Sequence, residues 1–187
     1  EVIWIRFFSQ TIVLFLIFFP FIKTKLVTHS LYLHISRGVC LFFAALFFFI
    51  GFTKTDLANA TAIYKTSPIF LTLGSIFFLK ETNFLVIKFL TVFLALIGAL
   101  IIINPSSSSF SIYSFFPLFA AISLAIFGII TRYFGERENP FTSIIYTALT
   151  GTILSSFLFA FFDWKPFVMQ DIPFFVVIGT VSTLGHF

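Results

Sequence analysis

The chain has 187 residues, of which 59% are hydrophobic and 10% are charged, and its mean hydropathy is +1.11. These values exclude an ordinary soluble domain and are typical of a polytopic membrane protein. The formal charge of +4 does not indicate a nucleic-acid-binding protein, because the basic residues lie between apolar runs rather than in one patch. The single cysteine, Cys40, excludes an intrachain disulfide.

Apolar stretches separated by short polar links are predicted to be transmembrane helices. In chain order they cover residues 2–22, 36–53, 57–79, 84–103, 113–131, 141–162 and a stretch that begins near residue 172. Because residue 1 is not Met and apolar stretches reach both ends, we expect the chain to be a fragment of a longer protein. Lys and Arg are enriched in the links after the first, third and fifth stretches, which predicts that these links face the cytoplasm.

The third stretch carries a lysine and a proline near its middle. Lys65 at membrane depth costs at least about 2.5 kcal/mol, and Pro68 removes a backbone donor, so a kink is expected there. An alternative is that Lys65 only snorkels to the head groups, although it lies about 12 Å from the end of the stretch. On a helical wheel one face is small and polar, which favours a helix that lines a wet cavity or a close helix contact. That face consists of Ala58, Thr61, Ala62, Lys65, Pro68, Thr72 and Ser75.

The links and stretch ends hold most other charged side chains. All acidic residues fall there, which argues against a buried carboxylate proton relay. The charges of the link 132–140 are expected to be solvated and to carry no chemistry. His29 and His34 fall in the link before the second stretch, without Cys or carboxylate partners at the spacing of a metal site. No metal ion and no cofactor are predicted.

Several short motifs occur in the order and spacing of a known family. They are WIRFF at 4–8, SRG at 36–38, small residues at 56–61, SPIF at 67–70, Glu81, Gly98 and IGTVSTLGHF at 178–187. Together they resemble the EamA-type permeases of the drug/metabolite transporter superfamily. The resemblance implies an all-α polytopic membrane protein, with this chain covering helices two to eight of a ten-helix bundle of two inverted five-helix repeats. Residues 1–103 would form most of the first repeat, 104–112 a linker and 113–187 the first part of the second repeat.

The resemblance also implies a function. It is secondary transport, by alternating access, of a small polar metabolite such as an amino acid or a related compound, bound near the membrane midplane. The implied location is the bacterial inner membrane, with the lipid bilayer and a small-molecule substrate as partners, a homodimer possible and no nucleic acid. Because no carboxylate lies inside a stretch to pair with Lys65, we expect its ammonium to meet an anionic group of the substrate. The candidate substrate-binding residues are Lys65, Tyr64, Thr61, Pro68, Thr72, Tyr146, Arg6 and Gln10.

Other interpretations stay open at this point. Each Tyr and Thr could instead hydrogen-bond a backbone carbonyl or a neighbouring helix, and Arg6 could anchor the chain at the head groups beside Trp4. A membrane-embedded enzyme would need a nucleophile with a base, or a metal cluster, at membrane depth. The histidines are scattered, Cys40 is alone and no carboxylate lies within a stretch, so no enzyme is predicted. A third class is a seven-helix receptor-like or structural membrane protein without transport activity. The complete reading frame separates these classes, since three further spans favour the transporter.

Overall fold

The computed structural model describes residues 2–18, 28, 30–80, 85–103, 112–134, 138–160 and 172–184. Within these ranges the chain is all-α and has no strand, as predicted. A short 3-10 helix, Ile112–Ser114, leads directly into the sixth α-helix. The α-helices are α1 (Val2–Phe18), α2 (Leu31–Lys54), α3 (Leu57–Tyr64), α4 (Ser67–Phe78), α5 (Leu85–Ile103), α6 (Phe115–Phe134), α7 (Pro140–Phe159) and α8 (Ile172–Leu184).

Three of the described helical segments are long and apolar enough to cross a membrane. They are Leu31–Lys54, Ile112–Phe134 and Pro140–Leu158. Further apolar but shorter helices occupy Val2–Ile17, Leu85–Gly98 and Pro173–Thr183. At 1.5 Å per residue the 24 residues of α2 extend about 36 Å, which exceeds the hydrocarbon core of about 30 Å. The prediction of a polytopic membrane protein is confirmed.

Two boundaries differ from the prediction in ways that matter for function. Helix α2 begins at Leu31 rather than near residue 36, so His34 lies inside the helix and not in a link. The stretch 57–79 is not one helix, because a turn at Lys65 and Thr66 separates α3 from α4. Pro68 is in the first turn of α4, where its missing N–H and fixed φ suit a helix start. The predicted division into 1–103, 104–112 and 113–187 stays a prediction.

The described residues group by their contacts into two compact units, one from 1–42 and 134–187, the other from 43–133. In the first unit α1 packs on both α7 and α8. It runs antiparallel to α7, because Trp4 Nε1 donates a hydrogen bond to Ser156 Oγ at 2.8 Å while Leu14 packs with Ile144 and Ala148. A 2.9 Å hydrogen bond between the hydroxyls of Thr11 and Thr152 adds a polar link between the same two helices.

Glycines allow the helices of the first unit to approach closely. The ring of Phe7 on α1 lies against Gly151, where an added Cβ would be 2.3 Å from Phe7 Cδ1. On α2, an added Cβ at Gly38 would be 2.6 Å from Thr150 Cβ. Because His34 also contacts α7, near Ser143, the start of α2 runs parallel to α7. Small residues are what membrane helices use to bring their backbones together.

In the second unit the later half of α2 packs against α6. An added Cβ at Gly51 would be 2.4 Å from Pro117 Cδ, and the ring of Phe47 lies 5.9 Å from that of Phe119. Helix α4 approaches α6 through glycines on both sides, since Ile129 lies against Gly74 and Leu71 lies against Gly128. Helices α3 and α4 both contact α5.

Candidate functional site: buried polar groups of the first unit

The residues that the sequence predicts to bind substrate fall into two groups. Thr61, Tyr64, Lys65, Pro68 and Thr72 lie on α3, α4 and the turn between them, in the second unit. The other three, Arg6, Gln10 and Tyr146, lie on α1 and α7 in the first unit. That all eight form one substrate site stays a prediction.

Lys65 lies where α3 ends. Its backbone N–H donates to the carbonyl of Thr61 at 2.9 Å, which is the last α-helical bond of α3. The N–H of Thr66 donates to the carbonyl of Ile63, three residues back instead of four, and a new helix begins at Ser67. The side chain of Lys65 is exposed on the second unit, and among the described residues no acidic side chain forms an ion pair with it. An exposed cation beside a helix break is free to meet a ligand or a head group.

The hydroxyls near Lys65 bond to their own helices. Thr61 donates to the carbonyls of Leu57 and Ala58, at 2.8 and 2.9 Å, and Thr72 donates to Pro68 at 2.8 Å. The ring of Tyr64 packs against Phe48, 4.8 Å away between centroids. A threonine that donates to its own backbone keeps oxygen lone pairs that can still accept a hydrogen bond from a ligand.

On α1, Gln10 is the most deeply buried of the predicted residues. Its side chain is 1% exposed, and neither Nε2 nor Oε1 has a hydrogen-bond partner among the described residues. Burying an amide without partners costs roughly 1–3 kcal/mol in proteins, so such a group is normally satisfied by water or by a ligand. One turn earlier, the guanidinium of Arg6 lies 5.8 Å from the centre of the Phe7 ring.

Tyr146 belongs to a cluster around His34 that the sequence did not reveal. The imidazole of His34 is stacked at 5.4 Å on Tyr146 and at 4.6 Å on Phe134, with interplanar angles of 18° and 19°. Its Nδ1 is 3.1 Å from Ser143 Oγ. The imidazole is therefore held on two aromatic rings and one hydroxyl, in a position that is 0% exposed.

Glu138 corrects the expectation that the charges of the link 132–140 are solvated. Its Oε2 lies 3.6 Å from Nε2 of His34, and its side chain is only 9% exposed. Its Oε1 accepts a hydrogen bond of 3.3 Å from Thr28. Glu138 is held there because Asn139 caps α7, accepting from Phe141 N at 3.0 Å, and Pro140 begins the helix. Glu138 lies in a link, as the sequence predicts, but its side chain is largely withdrawn from solvent rather than solvated.

More polar side chains are buried in the same unit. Arg37, one turn after His34, is 6% exposed. The interior also contains Ser9, Thr142, Thr147, Ser155 and Thr183. Several of these hydroxyls donate to a carbonyl one turn back, as Thr147 does to Ser143 at 2.7 Å. Polar and ionisable groups inside a bundle of apolar helices are expensive, and they mark substrate or ion pathways in membrane proteins.

A signal for this cluster is present in the sequence. His34 and Arg37 are three residues apart, so both lie on one face once the helix is extended backwards to Leu31. The pair Asn139–Pro140 marks a helix start, which places Glu138 beside it rather than in open solvent. Neither signal says which helices meet, and only the fold brings Glu138 to His34.

Comparison with known proteins decides the family. The model of the EamA-like transporter family matches residues 1–104, more than half of the chain. The chain belongs to the EamA-like transporter family. This confirms the resemblance, and no solved structure matches the chain.

Several curated relatives of this EamA-like chain are named as transporters. The chain is 30% identical over 155 residues to an S-adenosylmethionine uptake transporter of Rickettsia felis, an alignment that covers 83% of this chain and 52% of the relative. It is 28% identical over 160 residues to a riboflavin transporter of Brucella anthropi, covering 83% and 56%. It is 28% identical over 155 residues to the pseudopaline exporter CntI of Pseudomonas aeruginosa, covering 80% and 53%.

The chain spans about half the length of the curated relatives that it matches. The family and these relatives are named as transporters rather than enzymes. The apolar helices make the chain an integral membrane protein, and the relatives are bacterial.

Proposed function

We propose that this protein is a secondary transporter that moves a small polar metabolite across the bacterial inner membrane by alternating access. The observation that carries the proposal is membership of the EamA-like family over residues 1–104. The buried polar side chains of the first unit support it. Burying Gln10, His34 and Arg37 between apolar helices costs free energy, and a bundle that served only as a membrane anchor would gain nothing from it.

The substrate that we propose to test first is S-adenosylmethionine. Several relatives are named for its uptake, including one from Rickettsia bellii that is 27% identical over 98% of this chain. That compound carries an amino-acid carboxylate, which is the kind of anionic group that an exposed lysine binds. Riboflavin and pseudopaline are the other substrates that the names of relatives suggest.

Within this proposal Lys65 binds the anionic group, and Thr61, Tyr64, Pro68 and Thr72 surround it on α3 and α4. Separately, we propose that Gln10, Arg6 and Tyr146 of the first unit contact substrate. The support for Lys65 is its exposed position at a helix break. The support for Gln10 is its buried amide, which has both a donor and an acceptor to offer.

The experiment is uptake into proteoliposomes that contain the complete protein. Labelled S-adenosylmethionine and labelled riboflavin are supplied outside, with empty liposomes and heat-inactivated protein as controls. Saturable uptake that is accelerated by the same unlabelled compound inside would support a carrier. The reason is that a carrier with an occupied binding site reorients across the membrane faster than one with an empty site. A receptor-like or structural membrane protein would show no uptake above empty liposomes. Cross-linking in the same liposomes would test the predicted homodimer.

A further inference from the structure

The first unit contains an acid–base pair that substrate binding does not explain. His34 on α2 and Glu138 in the turn before α7 bring Nε2 and Oε2 to 3.6 Å, within ion-pair distance but longer than a hydrogen bond. Both side chains are withdrawn from solvent, at 0% and 9% exposure. We propose that His34 and Glu138 form a proton-binding site, and that proton binding there is coupled to transport. This inference rests on the proposed function.

The hydrogen-bond chemistry around the imidazole allows it to hold or release a proton without rearrangement. A hydroxyl both donates and accepts, so Ser143 Oγ, at 3.1 Å from Nδ1, can pair with either neutral tautomer and with the cation. When a proton arrives from water, Nε2 takes it, Nε2–H faces Oε2 of Glu138, and Nδ1–H donates to Ser143. When the proton leaves to water, the imidazole is neutral and Ser143 remains its partner.

The groups that face His34 come from each element packed against it in the described residues. Helix α6 contributes the Phe134 ring, and α7 contributes the Ser143 hydroxyl and the Tyr146 ring. The charged groups are Glu138 before α7 and Arg37 on α2 itself. Burial of the ring and the guanidinium of Arg37 disfavour the imidazolium, and the carboxylate of Glu138 favours it. Proton binding at His34 therefore depends directly on Glu138.

The pair is placed where protonation can change how helices meet. His34 is in the first turns of α2, while Glu138 is carried by the segment that joins α6 to α7 and is also bonded to Thr28 before α2. A proton on His34 turns a contact between a neutral ring and a carboxylate into an ion pair in a poorly hydrated place, where electrostatic attraction is strong. Loss of the proton weakens the link between the start of α2 and the start of α7.

The test measures proton movement in proteoliposomes with the complete protein, a pH dye inside and the membrane potential clamped at zero. With S-adenosylmethionine or riboflavin as probe, we expect substrate to move protons, and a gradient of one pH unit to change accumulation about tenfold for one proton per substrate. His34→Gln and Glu138→Gln should abolish both effects while retaining exchange of labelled for unlabelled substrate. Asp56→Asn, at an exposed carboxylate, is the matched control and should behave as the unchanged protein.

The outcomes separate this inference from the proposed function. Proton coupling would be overturned if substrate accumulation did not change with the pH gradient, or if it still changed in the His34→Gln protein. Either result would leave the transporter proposal intact. Absence of uptake for every probe would overturn the proposed function. In that case NMR titration of His34 in nanodiscs still decides whether the pair binds a proton: a titration midpoint that shifts in Glu138→Gln supports binding, and a midpoint that is the same in both proteins overturns it.

Discussion

Ser143 Oγ lies 3.1 Å from Nδ1 of His34, and this buried contact joins α7 to the start of α2. The hydroxyl is the hydrogen-bond partner of an imidazole that is otherwise held by aromatic rings and faces a carboxylate. The contact therefore orients the histidine as well as linking two helices.

Replacing Ser143 by alanine should lower stability. A buried imidazole nitrogen then loses its hydrogen-bond partner, and we expect a loss of about 1–3 kcal/mol in the free energy of unfolding. Titration with SDS of the purified protein measures it. Ser156→Ala is the control on the same helix, since its bond to Trp4 is exposed and its loss should cost less than about 0.5 kcal/mol. Equal effects of the two substitutions would contradict a special role for Ser143.

Two glycines on different helices should respond in opposite ways to a methyl group. Gly51→Ala places a Cβ 2.4 Å from the rigid ring of Pro117, so overpacking should cost about 1–3 kcal/mol. Gly98 has no neighbouring atom within 4 Å of an added Cβ among the described residues. Gly98→Ala should therefore gain up to about 1 kcal/mol through helix propensity. Thermal melting in detergent compares them, and a stabilising Gly51→Ala would show that α2 and α6 do not pack as described.

Gln10→Met should separate stability from function. The substitution removes a buried amide that has no partner in the described residues, so stability should rise by about 1 kcal/mol. If the amide binds substrate or an essential water, uptake should fall at least tenfold. Leu14→Met, buried on the same helix, should change neither quantity appreciably. A stable Gln10→Met protein with normal uptake would remove Gln10 from the site.

Lys65 provides a test of charge recognition. We expect Lys65→Ala to weaken apparent affinity for an anionic substrate by about tenfold or more, and Lys65→Arg to retain part of the affinity because the charge stays. Lys54→Ala, at the exposed end of α2, is the matched control and should have little effect. Uptake as a function of substrate concentration measures all three. Unchanged affinity in both Lys65 variants would assign this cation to the head groups.

The sequence predicts the helices well and the polar cluster poorly, for a physical reason. Hydropathy indicates local apolar runs, so the helices lie close to the predicted stretches. The stretch 57–79 is the exception, because the kink expected at Pro68 is a turn at Lys65 and Thr66 that divides it into α3 and α4. The contact between His34 and Glu138 depends on which helices meet. Glu138 reads as solvated because its own link is charged, and only the packing of α2 on α7 places it against His34. His34 itself is predicted as a link residue because the predicted stretch begins near residue 36, five residues after the observed helix start at Leu31.

Uptake of labelled S-adenosylmethionine into proteoliposomes that contain the complete protein tests the transporter assignment most directly, with labelled riboflavin run in parallel. We predict saturable uptake of at least one of these probes that exceeds uptake by empty liposomes, and that accelerates when the liposomes are preloaded with the same unlabelled compound. Uptake of both probes no faster than into empty liposomes, by protein that is folded and correctly inserted, would contradict it.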